Sequence, residues 1–398
     1  MACGCQFWFR RWIARLGIFF LLWPGSVRPQ TFRYILPSQT DPDITNFNNA
    51  HVVCINTNLP PRNQLFLFLP GTGGAPAGYT NIIVTAASLG FHSIGLMYAN
   101  GVTVNSLCDE ESNSTCFEQI RLDIIQGGTN ADPAFSVSVT DSIENRLTKI
   151  IQYLGGKYPA ENWGQYLDAQ TNIVWTQIVI AGHSQGAGHA GLIAKLHPVV
   201  RSLMFADTDW WFPGNRPADW ISTPGVTSNE LYFGFIHVQD PLVLYTWEIP
   251  TWDEYGMSQF GQPLLVESNA VPFQGSHMLT TDLPTQNNQT GQAYHGATVT
   301  DNYTPLLPNG TPVYQPVWQW MMTGPPVLPS LQINARGTNV QLSFGTRSNY
   351  TYQLQESTNL VAAIWSNSVP PLAGDGTIQG VTRSLEPAAH YYRVSVGY

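Results

Sequence analysis

The feature that most constrains this chain is residues 174–196, VWTQIVIAGHSQGAGHAGLIAKL. An apolar run stops at Gly182-His183-Ser184-Gln185-Gly186, and a stretch rich in alanine and glycine follows. Strand, tight Gly-x-Ser-x-Gly turn and small-residue helix, in that order, lift one serine onto a sharp bend with strained backbone angles. Larger side chains at Gly182 or Gly186 would collide with the strand or the helix. Ala187, Ala190, Gly191 and Ala194 fall along one face, which lets the helix axis approach a sheet closely. The helix N-terminus turns partial positive charge toward Ser184, favouring anionic intermediates there. With 35 glycines a bare GxSxG arises by accident, but accident does not supply the flanking strand and helix together.

The elements around this turn alternate. HVVCINTN (51–58), QLFLFLP (64–70), FHSIGLMYA (91–99), TQIVIA (176–181), RSLMFAD (201–207) and LYFGFIHVQD (231–240) read as strands, and QPLLVES (262–268) as the last of the series. QLFLFLP is too uniformly apolar for a half-exposed position. YTNIIVTAASLG (79–90) reads as a helix, and DSIENRLTKIIQYLGG (141–156) more clearly so. Ile143, Leu147, Ile150, Ile151 and Leu154 share one face of it, Asp141 with Glu144 offers a cap, and the Gly pair offers a stop. Alternating strands and helices predict a mostly parallel central sheet flanked by helices on both faces. Composition changes near TGPPVLPS (323–330). Beyond it NVQLSFG, YTYQLQES and YYRVSVG alternate apolar and polar residues, with Val340, Leu342 and Phe344 on one face, as in a small all-β sandwich-like domain. The boundaries expected are 1–28 for a signal peptide, 29–324 for the α/β domain and 328–398 for the β-rich C-terminal module.

Length and charge narrow the class. At 398 residues with 43% hydrophobic and 12% aromatic residues, the chain can bury a large core. A net charge of −9, without a Lys/Arg run after residue 15, argues against nucleic-acid partners. Arg10, Arg11 and Arg15 precede a short apolar block, Leu16 to Trp23, in the order of a secretory signal. The block is shorter than the roughly 20 apolar residues of a membrane span; a retained interfacial anchor is the alternative. Export places the protein outside the cell or in the periplasm and removes Cys3 and Cys5. Cys108 and Cys116 bracket a polar loop and are expected to pair in an oxidising compartment. Cys54 lies in an apolar run and is expected to act as a small buried hydrophobe. No Cys/His spacing or HExxH suggests a metal, and no cofactor is expected.

The strand, turn and helix around Ser184 resemble the nucleophile elbow of the α/β-hydrolase superfamily, over roughly residues 45–322. That resemblance implies a serine hydrolase with an oxyanion hole. One donor is the backbone N–H of Gln185. The other comes from LFLFLPGTGGAPAG (65–78), which looks like the family's His-Gly-x loop with Pro70 in place of the His, making Thr72 the donor. A phosphate cradle is the rival reading of that loop, and it lacks the Lys of a P-loop and the spaced glycines of a dinucleotide fold. Asp240, ending an apolar run before a proline, looks like the family's acid, with Asp207 and Asp209 as fallbacks and a plain turn former as the bland reading. Chain order in the superfamily is serine, acid, histidine, which leaves His277 and His295; His390 falls in the β module. His277, in FQGSHMLTTD, follows the expected last strand and resembles the histidine loop of secreted esterases, so it is taken as the base, with His295 as runner-up. A neutral imidazole base predicts activity that declines as pH falls through roughly 6–7.

Residues 100–140 read as an insertion beside the site, pinned by Cys108–Cys116, in which Arg121 and Asp123 form a structural ion pair or a carboxylate-binding site. Trp210, Trp211 and Trp220 line an apolar or sugar-binding surface or are simply core. The expected activity is hydrolysis of carboxylic esters, polymeric and lipid esters included. A serine peptidase of the same fold is one alternative. A non-catalytic protein on a hydrolase scaffold, with the C-terminal module engaging glycans or the cell surface, is the other.

Overall fold

The computed structural model describes residues 30–398 apart from 109, 133–134, 325–330, 347–350, 360–363, 376, 385–389 and 398. The proposed signal segment, 1–28, therefore lies outside the described residues. Nine strands form one sheet: β1 (Thr31–Ile35), β2 (His51–Ile55), β3 (Leu65–Leu69), β4 (His92–Gly95), β5 (Ile178–His183), β6 (Arg201–Phe205), β7 (Tyr232–His237), β8 (Leu264–Leu265) and β9 (Met278–Thr281). Their spatial order is β1-β2-β4-β3-β5-β6-β7-β9-β8. Only β2 runs against the others.

The apolar runs are explained by burial on both faces. In β3, Leu65, Leu67 and Leu69 enter one core while Phe66 and Phe68 enter the other. The first core is closed by α3 (Thr115–Gln126), α4 (Ile143–Lys157), α5 (Gln185–Leu196) and α6 (Tyr245–Glu254). The second is closed by α1 (Thr80–Ser88) and α7 (Gln315–Thr323). Each fully buried Leu or Phe contributes about 1.5–3 kcal/mol, so the sheet is a rigid platform for whatever its loops carry. Among the described residues no helix is long and apolar enough to cross a membrane.

Three local expectations are revised. The expected face of α4 is buried, but its cap is Ser142, whose hydroxyl accepts from the Asn145 N–H; Asp141 instead binds Arg146 at 2.7 Å. The glycine pair does not stop α4, which runs to Lys157 and ends on Tyr158. Residues 278–281, read as loop, form β9 between β7 and β8, and the expected last strand shrinks to two residues at the sheet edge.

Toward the C-terminus, Gln332–Arg336, Asn339–Gly345 and Ile378–Ser384 make one antiparallel sheet. Thr351–Ser357 pairs with Ser366–Asn367, Leu372–Ala373 and Tyr391–Gly397 in a second. Val340, Leu342 and Phe344 are buried, Val340 and Leu342 with Leu354 and Phe344 with Tyr352. The period-two pattern thus maps onto one inward face.

Candidate active site

Ser184 sits between β5 and α5 with φ 52° and ψ −125°, a left-handed strain that side-chain-bearing residues seldom adopt. Its N–H bonds the carbonyl of Phe205 at 2.8 Å, and its own carbonyl accepts from Ala187 at 2.8 Å. The two glycines are spatial necessities. A Cβ on Gly182 would lie 2.2 Å from the Gly186 backbone, and one on Gly186 would lie 2.2 Å from the Leu69 carbonyl oxygen. Gly186→Ala is therefore expected to cost about 3 kcal/mol or to prevent folding, as read by thermal melting, and a melting point unchanged from wild type would refute the close packing.

The small residues of α5 make room for particular neighbours. A Cβ at Gly188 would strike the Arg121 guanidinium and one at Gly191 the Tyr255 hydroxyl, each within about 2.2 Å.

The loop after β3 lies against the elbow: a Cβ at Gly71 would be 3.2 Å from that of Ser184. Asn100 clamps this loop through Nδ2 to the carbonyls of Gly71 and Gly74, both at 2.8 Å, while its own carbonyl accepts from Gly73. The Tyr98 hydroxyl donates to Pro70 O at 2.7 Å. The Thr72 hydroxyl donates to Gln185 Oε1 at 2.7 Å, so the two expected oxyanion residues stand side by side. Gln185 opens α5, where a backbone N–H has no intrahelical acceptor.

Asp240 follows β7 and is almost wholly buried. Its Oδ1 accepts from the backbone of Leu242 and Val243, and its Oδ2 lies 2.7 Å from His295 Nδ1. With Nδ1–H given to the carboxylate, Nε2 is the basic nitrogen of His295. Ser184, His295, Thr72 and Gln185 line one cleft of about 350 Å³.

His277, the histidine preferred from sequence, is placed elsewhere. It immediately precedes β9, three strands along from β5 and hence roughly 14 Å away across the sheet. Its ring is buried between Phe233 and Phe260, with centroids at 4.0 and 4.4 Å, and its Nδ1 meets Tyr232 O at 3.0 Å. The reason is the unrecognised β9: a strand rather than a loop follows His277, so the residue is held in the sheet layer. The histidine brought to Asp240 is His295.

Further residues that the sequence did not single out hold the histidine segment. His183 Nε2 donates to His295 O at 2.9 Å, and its Nδ1 accepts from the Tyr79 hydroxyl at 3.0 Å, which accepts in turn from Gly71 N–H. One histidine thus joins the His295 segment to the loop after β3. Burial, with His295 beside it, pushes His183 down to about 3, so this link stays neutral. Asp301 accepts from the Thr80 and Asn81 N–H groups at the start of α1, placing a carboxylate on a helix N-terminus.

The fallback acids serve another purpose. Arg121, buried on α3, binds Asp209 through Nε at 2.7 Å and Nη2 at 2.6 Å, reaches Asp207 at 3.3 Å, and donates through Nη1 to Gln185 O at 2.9 Å. It forms a buried ion pair with Asp209 and a longer contact with Asp207, rather than pairing with Asp123. Residues two apart on a helix point in nearly opposite directions and cannot pair. The Cys108–Cys116 disulfide, with Cα atoms 5.6 Å apart, ties α2 (Val104–Cys108), which supplies Val104 to the cleft, to α3, which supplies Arg121. Cys54 is buried and unpaired, its thiol pushed up to about 12 by burial. Trp220 and Trp210 are core; Trp220 donates to Asp209, and Trp210 stacks on Trp247, which lines the cleft.

A parallel sheet with β2 reversed, an elbow after β5, an acid after β7 and a histidine later still define the architecture. This is the α/β-hydrolase fold. No family model matches the chain, and no curated protein matches it. Similar solved structures include an acetyl xylan esterase from Aspergillus awamori, 13% identical, covering 57% of this chain and 80% of its own, at a TM-score of 0.32. They also include the esterase Est2 of the planctomycete Thermogutta terrifontis, 12% identical, covering 63% and 80%, at 0.33. A third is MGS-M1, an α/β hydrolase from a deep-sea metagenome library, 11% identical, covering 64% and 82%, at 0.33. Strand order and elbow, rather than these overlaps, define the α/β-hydrolase architecture of this chain.

Proposed function

We propose that the protein is a carboxylic ester hydrolase acting through an acyl-enzyme on Ser184. The observation that carries this reading is the 2.7 Å contact of His295 Nδ1 with Asp240, made at the wall of the cleft that Ser184 also lines. His295 Nε2 takes the Ser184 proton as Oγ attacks the ester carbonyl. The N–H groups of Gln185 and Thr72 hold the oxyanion, each worth about 3–4 kcal/mol of barrier. The leaving alcohol takes the proton from His295 as the C–O bond breaks. Water, deprotonated by the same nitrogen, then releases the acid and restores Ser184. Asp240 keeps the imidazole in the Nδ1–H tautomer throughout. The disulfide supports an exported protein, in keeping with the basic and apolar order of residues 10–23.

The test is fluorophosphonate labelling with p-nitrophenyl acetate turnover. Wild type is expected to label and turn over, and Ser184→Ala to lose labelling and about 10⁴-fold or more in kcat while melting normally. Labelling that persists in Ser184→Ala would reject the assignment. Faster turnover of peptide anilides than of esters would favour the peptidase alternative.

A further inference from the structure

The residue before Ser184 has both of its ring nitrogens engaged. His183 is buried, with Nε2 at 2.9 Å from His295 O and Nδ1 at 3.0 Å from the Tyr79 hydroxyl. Tyr79, also buried, receives the Gly71 N–H at 3.2 Å. The two ends of this chain fix its direction. A backbone N–H at Gly71 can only donate, and a backbone carbonyl at His295 can only accept. Each proton therefore has one place: Gly71 N–H toward Tyr79, Tyr79 O–H toward Nδ1, and Nε2–H toward His295 O. Neither imidazole nitrogen is left over to exchange a proton with a substrate.

The segments at the two ends are those on which the proposed chemistry depends. Gly71 belongs to the loop after β3, which carries Thr72, and His295 follows β9, its ring 4.7 Å from that of His183 between centroids. Neither segment is part of β5 or α5, which set the position of Ser184. Farther out, the same two segments meet where the Asp301 N–H donates to Gly78 O at 2.9 Å and the Asp301 carboxylate accepts from the Thr80 and Asn81 N–H groups. Beside the serine, the tie is His183. It leaves little slack, since a Cβ on Gly71 would stand 3.0 Å from Nδ1.

We propose that His183 is a positioning residue for acyl transfer, holding the His295 segment and the Gly71–Thr72 loop in register with Ser184. The inference rests on the ester-hydrolase reading and adds to it a residue that touches no substrate. Displacing a reacting group by about 1 Å costs on the order of a hundredfold in rate, so a rigid spacer between base and oxyanion donors has a kinetic consequence. A ring that only fills space would be replaced equally well by phenylalanine. A second proton acceptor would need a nitrogen that is not already bonded.

The experiment measures p-nitrophenyl acetate kinetics, inhibition by phenylboronic acid and thermal melting for His183→Phe, Tyr79→Phe and the double variant. His183→Phe is expected to lower kcat about a hundredfold with KM within a few-fold, and Tyr79→Phe, which cuts only the loop arm, about tenfold. The double variant should lose no more than His183→Phe alone, because the tie is already cut. Affinity for phenylboronic acid, which forms a tetrahedral adduct on serine, should fall in step with kcat/KM. His183→Gln, which keeps an N–H for His295 O, should recover part of the rate. Folded single variants with kcat within twofold of wild type overturn the proposal, whatever their melting temperatures. Losses that multiply in the double variant also overturn it, since the two residues would then act separately. Should His183→Phe fail to fold, Tyr79→Phe decides by the same twofold criterion. Wild type that neither hydrolyses the ester nor labels with fluorophosphonate overturns the ester-hydrolase reading and this one with it.

Discussion

His295→Ala is expected to lower kcat for p-nitrophenyl acetate by about 10⁴-fold with the melting temperature nearly unchanged, while His277→Ala keeps the kcat of the folded protein within a few-fold. The contrast follows from surroundings. His295 is the ring joined to Asp240 at the wall of the cleft, so under the proposed mechanism its loss removes the base and leaves a neutral serine hydroxyl. His277 fills a slot between two phenylalanine rings and bonds a backbone carbonyl. Truncating it opens a cavity and unpairs Tyr232 O, at about 2–4 kcal/mol in stability. Steady-state kinetics beside chemical denaturation distinguish the two effects. A folded, inactive His277→Ala with an active His295→Ala would reverse the assignment.

The largest stability effect is expected at Arg121. Its side chain is buried and serves two buried carboxylates, so Arg121→Ala strips the counter-charge from Asp209 and the weaker contact from Asp207. Breaking one side of a buried ion pair typically costs about 3–5 kcal/mol, more than most core truncations. Arg121→Lys should recover little, since an ammonium cannot grip Asp209 through two parallel N–H groups. Adding Asp209→Asn to Arg121→Ala should restore part of the loss, because the stranded charge is then gone. Urea unfolding of the single and double variants measures this; a loss below about 1 kcal/mol for Arg121→Ala would show that the cluster is dispensable.

The two histidines show where sequence reading succeeds and where it stops. Runs such as LFLFL and IVIA are apolar on both sides, which only a doubly covered parallel strand tolerates, so the sheet was visible in them. The elbow was equally legible because every position in it answers a steric demand. The MLTT strand is short and half polar and gives no such pattern, so sequence alone does not show that His277 enters the sheet layer. His295 stands on a single helical turn, Ala293–Gly296, too short for periodicity to mark. The supporting shell was invisible for a different reason. Asn100, Tyr79 and Asp301 act across contacts of long sequence separation, and Arg121 finds Asp209 88 residues away. Only the folded topology reveals such partners.

The Cys108–Cys116 bridge spans just eight positions and fastens a helix that borders the cleft, while Ser184 and His295 stand on other elements. If the proposed ester hydrolysis holds, reductant should consequently blur which molecules are accepted before it slows how fast any of them is cut, making selectivity and chemical competence separable.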